Sequence, residues 1–154
     1  MTTAIFFDAD FAHDVVKRRS ISGIIEFVGS TPVSWSSKRQ GCIASSTYQA
    51  EFIAMRRAVE EAIALRYMLR CLGVKVSQPT KLFGDNLGVM QTAQIPDADL
   101  KKKHVAISYH LVREAVAAGI IEPIWLDSKA NFADLCTKAL VKATHGVLTR
   151  GMMV

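Results

Sequence analysis

Residues 46–72 carry the pattern of one long helix with an acid where an apolar residue belongs. Met55, Ala58, Ala62, Leu65, Leu69 and Leu72 recur three and four apart, which lines them along a single buried stripe. Glu51, four residues before Met55, continues that stripe near the helix start, where Ser46 and Gln49 read as a capping box. A carboxylate therefore points at whatever the helix packs on. A buried acid is costly unless it is hydrogen-bonded, paired or bound to a metal, so its partners must lie elsewhere in the chain.

A length of 154 residues, 50% of them hydrophobic, predicts one domain over 1–154, with a core over about 3–142 and a C-terminal tail at 143–154. The net charge of +5 allows a polyanionic partner without requiring one. The excess is clustered at 17–19, Lys38-Arg39, Arg56-Arg57 and Lys101-Lys102-Lys103, and such clusters by themselves are more often solvated surface than binding sites. Cys42, Cys71 and Cys136 lack metal-ligand spacing and read as buried thiols of a reducing, cytoplasmic compartment. No apolar run reaches the roughly 20 residues of a membrane span, so a soluble protein is expected.

Taken in order, residues 4–8 form a short strand ending in Asp8, with Asp10 two residues on; turn or capping roles are the alternative for both acids. Residues 20–28 and 32–37 are β-rich runs separated by a turn at Gly29, which predicts an antiparallel meander of three strands. After the long helix, Gly73 suits a C-cap, and residues 81–83 form a fourth strand leading to Asp85. A helix between two strands of one sheet implies a right-handed crossover and parallel pairing, which sets Asp8 and Asp85 at the same sheet edge. A short helix over 87–94, a longer one over 104–118, a strand over 120–126 and a final helix capped by Asn131 and running to about 142 complete the chain. The expected architecture is α/β, a five-stranded mixed sheet flanked by helices.

Acids thus stand at four separated places able to converge on one edge of the sheet: Asp8, Glu51, Asp85 and Asp134. Like charges so placed raise one another's pKa, and a divalent metal is the natural remedy. Hard oxygen donors with neither Cys nor His close by favour Mg2+ or Mn2+. Two such ions, about 3.5–4 Å apart, would suit in-line hydrolysis of a phosphodiester.

The segments FFDADFA at 6–12, RRSISG at 18–23, VSWSSKRQ at 33–40 and SSTYQAEFIA at 45–54 resemble the ribonuclease H domain of copia-type LTR retrotransposon Pol polyproteins. So do GDN at 84–86, KHVAISYHLVRE at 103–114 and FADLCTKAL at 132–140, in family order and over nearly the whole chain. The resemblance implies the ribonuclease H-like fold and an endonuclease that hydrolyses the RNA strand of RNA-DNA hybrids during retrotransposon reverse transcription. It also implies a reverse transcriptase domain upstream in the parent polyprotein. The family's metal-binding acids carry over to Asp8, Glu51, Asp85 and Asp134. The chain departs from the family at Gln49 and Ala106, where acids are usual, and at Ala139, where proline is usual. Cellular relatives place a histidine in the loop before the last helix; residues 127–130 hold none, leaving Lys129 as the candidate substitute.

Lys38, Arg39, Arg56 and Arg57 flank the segment presenting Glu51 and are candidates for phosphate contact. Asp10 is a candidate support for Asp8. His104, on the helix after the lysine run, has either a packing or an auxiliary role. Trp35 and Trp125 fall in strand patterns and read as core, with a groove-bordering position open to Trp35. Two other functions stay in view: a catalytically decayed or repurposed nucleic-acid-binding module on the same fold, and an integrase-like nuclease.

Overall fold

The computed structural model describes residues 1–95 and 106–153. The strands are β1 (Thr3–Asp10), β2 (Ile21–Val28), β3 (Thr31–Arg39), β4 (Thr80–Gly84) and β5 (Ile121–Trp125), and the helices are α1 (Thr47–Cys71), α2 (Leu87–Gln94), α3 (Ala106–Ala117), α4 (Asp134–Thr137) and α5 (Lys142–Met152). One five-stranded sheet has the order β3-β2-β1-β4-β5. β1, β2 and β3 form the expected antiparallel meander, while β4 is parallel to β1 and β5 to β4. Every strand except β2 therefore runs in one direction, and the segments that leave β1, β3, β4 and β5 all emerge at the same end of the sheet. Asp8 stands near that end of β1, and from there the chain goes on after β3 to α1, after β4 to Asp85 and after β5 to α4.

One face of the sheet is built by Ile5, Phe7, Ile24 and Leu82, which pack with Met55, Ala58, Val59 and Ala62 of α1 and with Tyr109 and Val112 of α3. The alternation of side chains along a strand puts Phe6, Ile25 and Phe27 on the other face. There Phe6 stacks on Phe83 with ring centres 4.7 Å apart and meets Phe27 and Phe132 edge-on at 5.5 and 4.8 Å. Apolar cores thus fill both sides of the sheet, as a central β1 flanked by helices requires.

Two close approaches fix the layers. Gly23 pairs with Asp8 across the β1–β2 ladder, and a Cβ there would lie 2.6 Å from Thr137 Cγ2 and 2.8 Å from the Ala133 carbonyl. Gly84, just before Asp85, leaves room for the Phe7 ring, which a Cβ would meet at 2.5 Å.

Several expectations are corrected. Trp35 is 70% exposed and Trp125 is also exposed, because both lie on the outer strands β3 and β5 rather than in the centre of the sheet. Leu72 is exposed because it is the C-cap of α1, although the stripe from Met55 to Leu69 is buried. Cys42 and Cys71 are exposed and Cys136 is half-buried, all three free, so they are not core thiols. The final helix is two helices: α4 stops at Thr137, Lys138 is extended, and α5 at Lys142–Met152 takes in most of the expected tail and buries Leu148. Asn131 caps no long helix. Among the described residues no helix is long and apolar enough to cross a membrane.

Candidate metal centre

The site starts from the three-strand meander that delivers α1. Gln40, directly after β3, is buried and donates through Nε2 to Ser22 Oγ and to the Ala50 carbonyl, both at 2.9 Å, which pins the first turn of α1 to the sheet. Ser46 Oγ accepts from the Gln49 backbone N–H at 3.2 Å as an N-cap. The reciprocal half of the expected box is displaced by one residue, since Gln49 Oε1 accepts from the Ser45 backbone N–H and hydroxyl, each at 2.8 Å. So anchored, α1 turns Glu51 inward at the sheet end where Asp8 lies, and Glu51 is 5% exposed.

Asp8, at 1% exposure, Asp85 and Asp134 each offer a carboxylate oxygen within 4.8 Å of the others, a spacing that a single cation can bridge. Asp85 follows β4 directly, and its carbonyl accepts from Trp125 Nε1 at 2.9 Å, tying the end of β4 to β5. Asn131 donates to the Phe7 carbonyl at 3.0 Å and accepts from the Ala133 backbone N–H at 3.1 Å, so it holds the start of α4 against β1. The Thr137 hydroxyl donates to Asp8 Oδ2. Lys138 Nζ donates to Asp134 Oδ1 at 2.8 Å and pairs with Asp8 Oδ2 at 3.2 Å.

The electrostatics reflect crowding of like charges. Burial, then the nearby Asp8 and Asp85 carboxylates, push Glu51 up to about 9, only partly opposed by Lys138 and by a hydrogen bond from the Ala9 backbone. Burial also raises Asp85 and Asp134, each further raised by Asp8. Burial disfavours the charge on Lys138, but the hydrogen bond to Asp134 and the field of Asp8 outweigh it and hold the ammonium firmly protonated. Glu51 Oε2 is buried without a hydrogen-bond partner among the described residues. A buried carboxylate oxygen left over beside three converging acids, with oxygen donors throughout, fits a hard divalent cation.

The auxiliary candidates are placed differently. Asp10 accepts from His13 Nδ1 at 2.6 Å in a half-exposed pair and is not among the three converging acids. Arg39 pairs with Asp14 at 3.3 Å, and Lys38 is exposed beside it. Arg56 and Arg57 pair with Glu60 and Glu61, one turn further down α1 and so further from the acids, at 3.0 and 3.8 Å. Lys129 is exposed in the 3-10 turn capped by Asp127. His104 and Lys101 to Lys103 lie outside the described residues. Sequence reasoning missed Thr137, Lys138 and Gln40 as neighbours of the acids. For Lys138 the signal was available, since Asp134 and Lys138 stand four apart, the spacing of a helical ion pair.

The relatives agree with this architecture. The chain is 31% identical over 143 residues, 93% of its length, to the "Retrovirus-related Pol polyprotein from transposon RE2" of Arabidopsis thaliana. The chain is a Pol polyprotein homologue with a ribonuclease H fold. It matches only 10% of that polyprotein's length. Among solved structures, the RNase H1 of Halobacterium salinarum NRC-1 superimposes with a TM-score of 0.65 at 16% identity, covering 89% of this chain and 95% of that one. LC11-RNase H1, solved in complex with an RNA/DNA hybrid, gives 0.68 at 14% identity, covering 88% and 94%. No protein-family model matches the sequence. For this Pol homologue, the four acids carried over by resemblance all sit at the end of the sheet where β1, β4 and α1 meet.

Proposed function

We propose that this chain is the ribonuclease H part of a copia-type retrotransposon Pol polyprotein, hydrolysing the RNA strand of RNA-DNA hybrids with two divalent ions, Mg2+ or Mn2+. The observation that carries the reading is the convergence of Asp8, Asp85 and Asp134 within 4.8 Å beside the unpartnered buried oxygen of Glu51. These four carboxylates would hold the ions, which when bound supply an activated water and a stabilised leaving oxygen. The protein's share of the work is positional. Thr137 fixes the orientation of the Asp8 carboxylate, Asn131 holds α4 against β1, and Gln40 holds α1 so that Glu51 stays turned inward. The same arrangement keeps the acids in place before any substrate arrives.

Hybrid binding would rest on phosphates and ribose 2′-hydroxyls, because an A-like duplex presents those rather than sequence. Lys38 and Arg39 on the outer strand β3, with Arg56 and Arg57 on α1, are the proposed phosphate contacts. Trp35 and Arg39 share one face of β3 and Lys38 lies on the other. A reverse transcriptase domain upstream is the proposed partner within the polyprotein, supported by the Pol relatives, in which the matched segment is a small part.

The test is cleavage of three matched duplexes, RNA-DNA hybrid, DNA and RNA, with and without Mg2+. Metal-dependent cutting of the RNA strand of the hybrid alone is the expected result. Full activity in EDTA, or cutting of DNA, would overturn the reading. Hybrid binding without any cleavage would leave a nucleic-acid-binding module on a ribonuclease H fold.

A further inference from the structure

Lys138 is, among the described residues, the one base paired with any of the four acids. Its Nζ lies 2.8 Å from Asp134 Oδ1 and 3.2 and 3.4 Å from the two oxygens of Asp8, so the ammonium stands between the two carboxylates. Asp8 Oδ2 already accepts from the Thr137 hydroxyl, which leaves that carboxylate few lone pairs. The position is reached from the C-cap of α4, where Lys138 has an extended backbone, and its side chain is 37% exposed. A lysine there has a flexible four-carbon stem and an open path to solvent.

A divalent ion held by Asp8 and Asp134 would draw on the same two carboxylates that the ammonium pairs with. An ammonium left in place would lie against that ion and repel it. We infer that Lys138 is a tethered competitor of the divalent ion at the Asp8–Asp134 end of the site, displaced to solvent as an ion binds there. This rests on the metal-binding reading above. It adds that the chain sets its own threshold: the concentration of metal at which this end fills is governed by how firmly the ammonium holds the two carboxylates. Asp85 and Glu51 make no pair with Lys138, so the other end of the site feels the lysine through its field alone.

The test is Mn2+ binding to the wild type, Lys138→Gln and Lys138→Arg, followed by calorimetry and by electron spin resonance of free Mn2+, with no nucleic acid present. Lys138→Gln is expected to hold the same number of ions at saturation, with the weaker step moved to roughly tenfold lower Mn2+, as expected for loss of a charged hydrogen-bond partner. Lys138→Arg, which keeps the cation, is expected to stay near the wild type. Melting gives a second readout. Without metal, Lys138→Gln should melt lower than the wild type, and it should gain more on saturation with Mn2+. Unchanged or weaker binding by a folded Lys138→Gln would overturn the inference. So would one more ion at saturation than the wild type holds, because the lysine would then be a permanent substitute for that ion. Failure of the wild type to bind any Mn2+ would instead overturn the metal reading itself.

Discussion

Gly23 lies directly across the β1–β2 pair from Asp8, and its missing side chain is what lets Thr137 reach that carboxylate. A methyl group at 23 would collide with Thr137 Cγ2, the Ala133 carbonyl and Cys136 Cβ, two of which belong to α4 and the third to its N-cap. Backbone and helix would have to part.

Gly23→Ala is therefore expected to destabilise the fold by about 1–3 kcal/mol, the usual range for overpacking. It should also weaken Mn2+ binding, since α4 carries Asp134 as well as Thr137. Urea unfolding alongside a metal titration checks both. A variant as stable as the wild type and with normal metal affinity would mean that α4 adjusts without moving Asp134.

Glu51 gives a prediction about pH that needs no substrate. Its carboxyl titrates near 9 in the folded chain against an ordinary value of 4.5, so the folded state holds the proton more tightly than the unfolded one. The associated stability is complete below about pH 4.5 and is lost as the pH rises toward 9. Glu51→Gln cannot ionise. Without metal it should match the wild type at pH 4 and exceed it at pH 8 by about 1 kcal/mol or more, a rise of roughly 2–4 °C or more in Tm. Saturating Mg2+ should stabilise the wild type by mass action and the variant less. A buried ion pair at Glu51 predicts the reverse order of melting and no effect of Mg2+.

Asp8→Asn, Glu51→Gln and Asp85→Asn are each expected to lower hybrid cleavage by more than about a hundredfold, since loss of a ligand should exceed the 10–100-fold typical of its supporting contacts. Asp134→Asn should fall less, because α4 is a single short turn and a water can replace part of its role. Single-turnover cleavage rates at saturating Mg2+ check the order. An Asp134→Asn protein faster than the wild type would remove Asp134 from the site.

Arg56 and Arg57 make surface pairs with Glu60 and Glu61, of the kind usually worth about 0.3–0.5 kcal/mol, so both are readily recruited by a phosphate. Replacing both by alanine should lower the slope of log affinity against log salt for a hybrid by about 0.7–0.9 for each phosphate that the pair neutralises. An unchanged slope would take the pair out of the interface and leave Lys38 and Arg39 on β3.

The fold was legible because its signals are local and repeated. The stripe from Met55 to Leu69, the turn at Gly29 and the strand–helix–strand order around α1 each specify an element by periodicity or by a glycine, and the crossover rule then makes β4 parallel to β1. The edges were less legible. Trp35 and Trp125 alternate as buried strand residues do, but nothing local to an outer strand says that no layer covers it. Around the acids, the resemblance and the strand ends pointed to Asp8, Glu51, Asp85 and Asp134, whereas Gln40, Thr137 and Lys138 remained unseen as their neighbours. Apart from the i,i+4 pair of Lys138 with Asp134, their partners are 10 to 130 positions away in sequence, and such contacts leave no period to read.

The tie from Asn131 to the Phe7 carbonyl joins residues 124 positions apart, and that from Thr137 to Asp8 joins residues 129 apart. Within this stretch of chain Asp8 is made well before Asn131, Thr137 and Lys138, which arrive only after β5. A growing chain ending before residue 131 would have the strands of the sheet and α1 but would leave Phe6 and Phe27 without Phe132 and Asp8 without Thr137. Closure of loops this long is slow and comes late in folding. The order of translation thus completes the acid cluster only after the sheet, and a nascent chain carries its sheet before it carries its site.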